Sequence, residues 1–138
     1  MKSIKLSYKY EGNSVFGDIY RPLVPVNIWS EKFMVWILVW MIVDTGADYT
    51  LFPLDFSKKL GINLKNDCTI SQASGIGGNA RVYLPKRPIA MKLWEWERNI
   101  PIGILAKSNF PPLLGRIKGI ETFRMTFNKK QLEIDNPS

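Results

Sequence analysis

The stretch Val43-Asp44-Thr45-Gly46-Ala47-Asp48 begins at the last residue of a run of 11 apolar residues, Phe33 to Val43. A carboxylate at the end of such a run is costly to bury unless it is paired, hydrogen-bonded or protonated. Asp44 is therefore either a strand-end residue that faces solvent or an acid held for chemistry. The run shows no polar alternation and leads into turn residues, which predicts a strand buried on both faces. Periodicity alone leaves a buried helix open.

The composition narrows the chemistry that Asp44 could take part in. The chain has no histidine and a single cysteine, Cys68. These two facts exclude Ser-His-Asp and Cys-His catalysis, and they exclude zinc sites built on cysteine. A lone cysteine forms no intrachain disulfide, which fits a reducing compartment. We expect no metal and no cofactor, so any catalysis would rest on carboxylates, lysines, hydroxyl groups or the backbone.

Size and charge suggest one globular domain. The chain has 138 residues, of which 46% are hydrophobic and 22% charged, with a net charge of +7. The cations are scattered and accompany no nucleic-acid-binding motif, so we expect solvated surface charge and no nucleic-acid partner. The apolar run has about half the length of a membrane-spanning helix. The N-terminus lacks a signal-peptide pattern, so we expect a cytoplasmic protein with no membrane partner.

Strand-like segments predominate along the rest of the chain. They are residues 4–10, 15–20, 26–29, 50–52, 68–73, 80–84, 89–96, 100–105, 124–127 and 131–134. Residues 11–14 are predicted as a turn, and residues 53–61 and 117–123 as two short helices. The glycine-rich residues 74–79 predict a hairpin turn. The expected fold is all-β, a small closed barrel with one or two short helices.

Several features in this order resemble the retropepsin-like aspartic proteases, in a single-domain, prokaryotic-like form. They are the apolar strand with Asp44-Thr45-Gly46-Ala47, the return Thr50-Leu51-Phe52-Pro53 with a short helix ending Lys59-Leu60-Gly61, the hairpin Gly75-Ile76-Gly77-Gly78, the element Leu113-Leu114-Gly115-Arg116, and the closing strands 124–127 and 131–134. Asp-Thr-Gly alone is a weak signal, because an Asp that caps a turn is common. The ordered set is much more specific.

The resemblance covers residues 33–135 and implies an acid-protease-type barrel with a glycine-rich flap at residues 75–78. We expect residues 1–138 to form one domain, with residues 31–135 as the protease core and residues 1–30 as strands of uncertain role. The five tryptophans, at positions 29, 36, 40, 94 and 96, are expected to serve as core or interface bulk.

The resemblance also implies a function, that of an aspartic endopeptidase acting on a peptide or protein substrate. Asp44, Thr45 and Gly46 would form the catalytic loop. The chain holds one Asp-Thr-Gly, so the catalytic pair would need Asp44 from two identical subunits of a homodimer. Thr45 would bond across the interface, and Gly46 would let the backbone approach the carboxylates.

A second group of residues is implied to bind substrate. It comprises Ala47, Asp48, Gly75, Ile76, Gly77, Gly78 and Arg116. Asp48 would hold the substrate main chain, and Arg116 would pair with Asp48. Val43, Ala47, Ile76 and Leu113 are predicted as walls of apolar subsites.

Two other functional classes compete with the protease interpretation. The first is a retropepsin-like dimer that binds peptides or proteins without turnover. An idle site has no need to keep Asp44, Thr45 and Gly46 together, which weighs against this class. The second is a basic β-barrel that binds nucleic acid, which would show as a steep salt dependence of oligonucleotide binding.

Overall fold

The computed structural model describes residues 2–75 and 78–137, and these are mostly strands, with 58% of residues in strands and 6% in helices. The strands are β1 (Ser3–Ser7), β2 (Lys9–Ser14), β3 (Gly17–Arg21), β4 (Leu23–Ser30), β5 (Val35–Val43), β6 (Thr50–Pro53), β7 (Cys68–Gly75), β8 (Gly78–Pro85), β9 (Ile89–Leu93), β10 (Trp96–Ile100), β11 (Ile102–Leu105), β12 (Leu113–Leu114), β13 (Arg124–Asn128) and β14 (Gln131–Asp135). One α-helix, α1, spans Phe56–Leu60, and a 3-10 turn spans Ile120–Thr122. The prediction of a mostly β fold is confirmed.

Within the described ranges, the strands form three sheets. The largest has nine strands in the order β10-β9-β4-β5-β12-β6-β11-β8-β7, and the others are β1-β14-β13 and β2-β3. The nine-stranded sheet ends at β10 and β7, which do not pair with each other. The expected closed barrel is therefore not found in the described part of the chain, because the hydrogen-bonded ladder does not return to its first strand.

The core lies on one face of the central strands. Residues alternate between buried and partly exposed along β4, where Val24, Val26 and Ile28 are fully buried. Their neighbours on β5 are Val39 and Met41, which belong to the same apolar cluster. This alternation is the period of two expected of a strand with one face in the core.

The prediction that residues 33–43 are buried on both faces is wrong. Only residues 35–43 form β5, and Trp36, Leu38 and Trp40 on alternate positions are exposed. The strand has an inner and an outer face like its neighbours, but apolar side chains occupy both. The sequence therefore shows no alternation, although the structure does.

The first thirty residues contribute strands to all three sheets, since β2 and β3 form the two-stranded sheet. β1 pairs with β14 over five residues, from Ser3 opposite Asp135 to Ser7 opposite Gln131. β4 lies between β9 and β5 in the nine-stranded sheet, so residues 1–30, expected as strands of uncertain role, include one of its inner strands. The turn predicted at residues 11–14 is wrong, since these residues continue β2. Gly12 has a positive φ and lies where the pairing of β2 with β3 shifts register, between Tyr10 and Asn13.

Three further elements differ in length from their predictions. The helix predicted over residues 53–61 is the shorter α1, which ends at Gly61 in the left-handed conformation (φ 69°). The helix predicted over residues 117–123 is reduced to the 3-10 turn. Residues 89–96 form two strands, because the chain reverses at Trp94, whose φ is 55°. No helix in the described part of the chain is long and apolar enough to cross a membrane.

Candidate active site

The loop of residues 44–49, called here the Asp44 loop, connects β5 to β6 beside the short strand β12. β12 lies between these two strands, parallel to β5 and antiparallel to β6. The backbone N–H of Asp44 donates to the carbonyl of Leu114 at 3.0 Å. The last residue before the loop and the first residue in it are therefore both held by β12, since Val43 stands opposite Leu114 in the register.

The Asp44 carboxylate is oriented by its own loop. The N–H of Gly46 donates to Asp44 Oδ1 at 2.9 Å, and the N–H of Ala47 donates to the Asp44 carbonyl at 3.2 Å. A Cβ atom at position 46 would lie 3.2 Å from the same Oδ1, so a side chain there would crowd the carboxylate. Asp44 is half-buried, whereas Thr45 and Gly46 are exposed. The carboxylate thus sits at the edge of the core with its neighbours facing outward.

The segment after β12 supports the other half of the loop. The N–H of Arg116 donates to the Ala47 carbonyl at 3.0 Å, and the N–H of Ile117 donates to the Asp48 carbonyl at 2.8 Å. The Arg116 guanidinium also forms an ion pair with the Asp48 carboxylate. The predicted Asp48–Arg116 pairing is confirmed. Both side chains are exposed, so we expect the pair to add little to stability.

A buried hydroxyl group completes this support. Thr50 is fully buried, and its Oγ1 accepts the N–H of Gly115 at 3.1 Å. A Cβ atom at position 115 would clash with the Tyr49 carbonyl group and lie 2.7 Å from the Thr50 nitrogen. Glycine therefore allows the two backbones to meet here. The sequence predicts Thr50 only as a strand residue. The signal that could have singled it out is a polar side chain at the start of the otherwise apolar strand β6.

The glycine-rich hairpin is described up to its turn. β7 and β8 are antiparallel and in register from Cys68 opposite Pro85 to Gly75 opposite Gly78. Ile76 and Gly77, which belong to the predicted flap, lie outside the described residues. A hairpin is present where it was expected, and its role as a cover over Asp44 stays a prediction.

An apolar cavity of about 440 Å³ lies next to the strands that hold the Asp44 loop. It is lined by Leu51, Leu105, Lys107, Ser108, Asn109, Phe110 and Leu113. Leu51 and Leu113 stand opposite each other in β6 and β12. The cavity therefore lies beside two of the strands that hold the Asp44 loop. Of the predicted subsite walls, Leu113 lines it. Val43 does not, because its side chain belongs to the buried core, and Ala47 is absent from the lining.

A larger cavity, of about 730 Å³, includes Trp29, Lys32, Gly61 and Lys86 in its lining. No residue of the Asp44 loop lines it. This cavity is therefore separate from the Asp44 loop.

Cys68 does not provide an alternative nucleophile. Its side chain is buried at the start of β7. Burial raises the pKa of the Cys68 thiol, the nearby Asp67 carboxylate raises it further, and Lys86 opposes them. Since the reactive form of cysteine is the thiolate, this thiol is poorly suited to nucleophilic catalysis near neutral pH.

Comparison with known proteins identifies the architecture. No protein-family model matches the chain, and no curated protein matches it. Among solved structures, it is similar to a retropepsin-like aspartic protease from Rickettsia conorii, with a TM-score of 0.66 and 16% sequence identity. The similarity covers 96% of this chain and 98% of the other. The chain has the retropepsin-like fold.

The retropepsin-like fold extends beyond the sequence resemblance. That resemblance covered residues 33–135, whereas the structural similarity covers 96% of the chain and so includes most of residues 1–30. At 16% identity, the similarity establishes the fold and assigns no role to individual residues. What the site can do follows from its own geometry.

The hydrogen bond between Thr50 and Gly115 leads to a prediction about stability. Thr50→Val keeps the side-chain shape but leaves the buried Gly115 N–H without its acceptor. We expect the free energy of unfolding to fall by about 1–3 kcal/mol, measured by urea denaturation. Thr126→Val, at an exposed position of β13, is the matched control and should change it by less than about 0.5 kcal/mol. Equal effects of the two substitutions would contradict the role given to Thr50.

Proposed function

We propose that this chain is one subunit of a homodimeric aspartic endopeptidase in which Asp44 of each copy contributes one carboxylate. The observation that carries the proposal is the set of hydrogen bonds in the Asp44 loop and the exposure of its next two residues. Its carboxylate accepts the Gly46 N–H, its backbone N–H donates to Leu114 of β12, and Thr45 and Gly46 are exposed beside it. The similar solved structure is described as an aspartic protease, which supports the same reaction class.

The need for two copies follows from the chemistry. Hydrolysis of a peptide bond by carboxyl groups requires one carboxylate to take a proton from water and one carboxylic acid to polarise the carbonyl. A single Asp44 cannot do both at once. Two aspartates at close range share one proton, because like charges that near cannot both ionise. The chain has one Asp-Thr-Gly, so a second copy supplies the partner acid.

The exposed part of the loop suits a contact with that second copy. Thr45 carries a hydroxyl group that can donate and accept, and it is exposed in the single chain. In the proposed dimer, each Thr45 bonds to the opposite loop and aligns the two Asp44 carboxylates. Gly46 keeps the approach open, since its N–H already orients Asp44 Oδ1 and no side chain intervenes.

The substrate is proposed to be a peptide in extended conformation. Such a segment would bind as an added strand, with main-chain hydrogen bonds and alternate side chains in pockets. Asp48, paired with Arg116, would hold its main chain, with Ala47 and Gly75 to Gly78 as further contacts. The cavity between Leu51, Leu113 and Phe110 would take an apolar side chain. We take residues 1–138 as a single domain, and the lone cysteine suits a reducing, cytoplasmic setting.

Replacing the catalytic carboxylate tests the reaction class. Asp44→Asn keeps the size of the side chain but removes the acid, so we expect peptide cleavage to fall by at least about a thousandfold. The measurement is cleavage of a peptide library between roughly pH 4 and 7, followed by mass spectrometry. Asp55→Asn, an exposed aspartate at the start of α1 with no side-chain capping bond, is the matched control and should cleave as the unmodified chain does.

Two results would contradict the protease assignment. Unchanged cleavage by Asp44→Asn would remove Asp44 from the reaction. A peptide that binds the unmodified chain but is never cut would favour an idle binding module instead.

The two-copy site also predicts a dependence on protein concentration. Specific activity should fall as the protein is diluted below its dimer dissociation constant, because the single chain holds half of the catalytic pair. The measurement is the rate per subunit over roughly three decades of concentration, beside the sedimentation of the same samples. A constant rate per subunit in samples that sediment as monomers would show a complete site in one chain.

A further inference from the structure

The outer face of the β4–β5 hairpin carries large apolar side chains in contact with solvent. On β5, Trp36, Leu38 and Trp40 occupy alternate positions and are 37%, 58% and 49% exposed. In the turn that precedes the strand, Phe33 and Met34 are 53% and 65% exposed. Single exposed apolar residues are ordinary, but soluble proteins rarely expose several next to one another.

The exposed β5 side chains and Trp29 of β4 lie on one side of the sheet, and the turn with Phe33 and Met34 leads directly into β5. Trp36 stands opposite Trp29 of β4, and their rings meet edge to face with centroids 5.3 Å apart. Leu38 and Trp40 follow on the same side of β5, at successive steps of two residues. We call this surface the tryptophan face; its members are Trp29, Phe33, Met34, Trp36, Leu38 and Trp40.

Lysines surround the tryptophan face. Their ammonium groups lie over its rings: Lys9 at 5.8 Å from the centroid of Trp40, Lys32 at 5.5 Å from that of Phe33, and Lys92 at 5.9 Å from that of Trp36. Lys92 belongs to the same side of the sheet, because it stands opposite Asn27, which in turn stands opposite Leu38.

Two carboxylates lie near these cations. Glu31 accepts the Trp29 indole N–H at 2.9 Å, and Glu97 stands opposite Lys92 on β10. Each of the three lysines is nevertheless directed over an aromatic ring of the face. The surface therefore combines exposed aromatic groups with positive charge.

We propose that the tryptophan face binds the surface of an anionic lipid bilayer. Tryptophan and phenylalanine partition into the membrane–water interface, and lysines beside them interact with anionic headgroups. The chain as a whole carries a charge of +7, which favours the same partner. The turn with Phe33 and Met34 would enter between headgroups, and Lys9, Lys32 and Lys92 would stay at the level of the phosphates.

Charge and shape favour a bilayer over a protein partner. A two-fold contact between copies of this face would bring two sets of the same three ammonium groups towards each other, which is repulsive. A partner whose side chains enter pockets finds few here, because of the face only Trp29 lines either of the two cavities described above. A bilayer accepts protruding side chains without a matching pocket.

The proposal revises two expectations drawn from the sequence and is independent of the proposed protease activity. From the sequence alone, no membrane partner is expected, because the apolar run is too short for a membrane-spanning helix. That length does not bear on binding at the surface of a membrane. The tryptophans were expected as core or interface bulk; Trp29 packs on Trp36, whereas Trp40 is half exposed. Binding of this kind is peripheral and uses one face of a hairpin.

The test is co-sedimentation of the full chain with lipid vesicles. Vesicles of phosphatidylcholine with about one third phosphatidylglycerol should bind the protein, and pure phosphatidylcholine vesicles should bind it about tenfold more weakly. Raising the salt from about 0.05 M to about 0.5 M should weaken the binding. The double variant Phe33→Ser with Leu38→Ser should bind at least about tenfold more weakly than the unmodified chain.

Matched variants separate this surface from the rest of the molecule. Ile70→Ser removes an equally exposed apolar side chain from β7 (60% exposed) and should bind vesicles normally. Lys92→Glu should weaken binding, whereas Lys58→Glu, at an exposed position of α1, should matter much less. Circular dichroism spectra and urea midpoints confirm that each variant is folded.

Three outcomes would overturn the proposal. They are the absence of binding to anionic vesicles, equal losses in the tryptophan-face variants and their controls, and a Phe33/Leu38 variant that loses self-association but not vesicle binding. The last result would assign the face to a second copy of the chain.

Discussion

The two-residue strand β12 holds the site together. Its Leu114 carbonyl accepts the N–H of Asp44, and the N–H of the next residue, Gly115, is bound by the buried hydroxyl of Thr50. Because β12 lies between β5 and β6, these bonds connect the strand that leads into the Asp44 loop with the strand that leaves it. The position of the carboxylate therefore depends on a segment about 70 residues away in sequence.

Sequence reasoning was most successful where local chemistry is specific. It predicted the loop after β5, the glycine that ends α1, the hairpin that β7 and β8 form, and the pairing of Asp48 with Arg116. Each depends on a residue type with few alternatives at its position. The pairing of Asp48 with Arg116 was reached through the family resemblance, because a pairing across 68 positions leaves no local pattern.

The remaining features depend on tertiary contacts. β5 was taken as buried on both faces, since an exposed face made of Trp36, Leu38 and Trp40 cannot be distinguished from a buried one by residue type. Thr50 acquires its role only when Gly115 reaches it. The closed barrel was expected from the number of strands, whereas closure depends on whether the edge strands pair, and β10 and β7 do not. The types of residue in a strand say little about which of its faces is exposed or which strand pairs with it.

The molecule thus has two surfaces that would bind different kinds of partner. The Asp44 loop offers one half-buried carboxylate beside exposed Thr45 and Gly46, and a second identical loop would complete its chemistry. The tryptophan face offers aromatic rings covered by lysines, and two identical copies of it would repel. We propose self-association for the first surface and an anionic bilayer for the second.

Mixing of subunits tests the central claim, that Asp44 is half of a catalytic pair. Unmodified and Asp44→Asn chains are combined in equal amounts above the dimer dissociation constant and left to exchange, and cleavage is compared with that of the unmodified protein at the same total concentration. If both carboxylates are needed, only dimers of two unmodified chains are active, so the mixture retains about one quarter of the activity. Retention of about one half would show that each chain acts alone, and it would contradict this account.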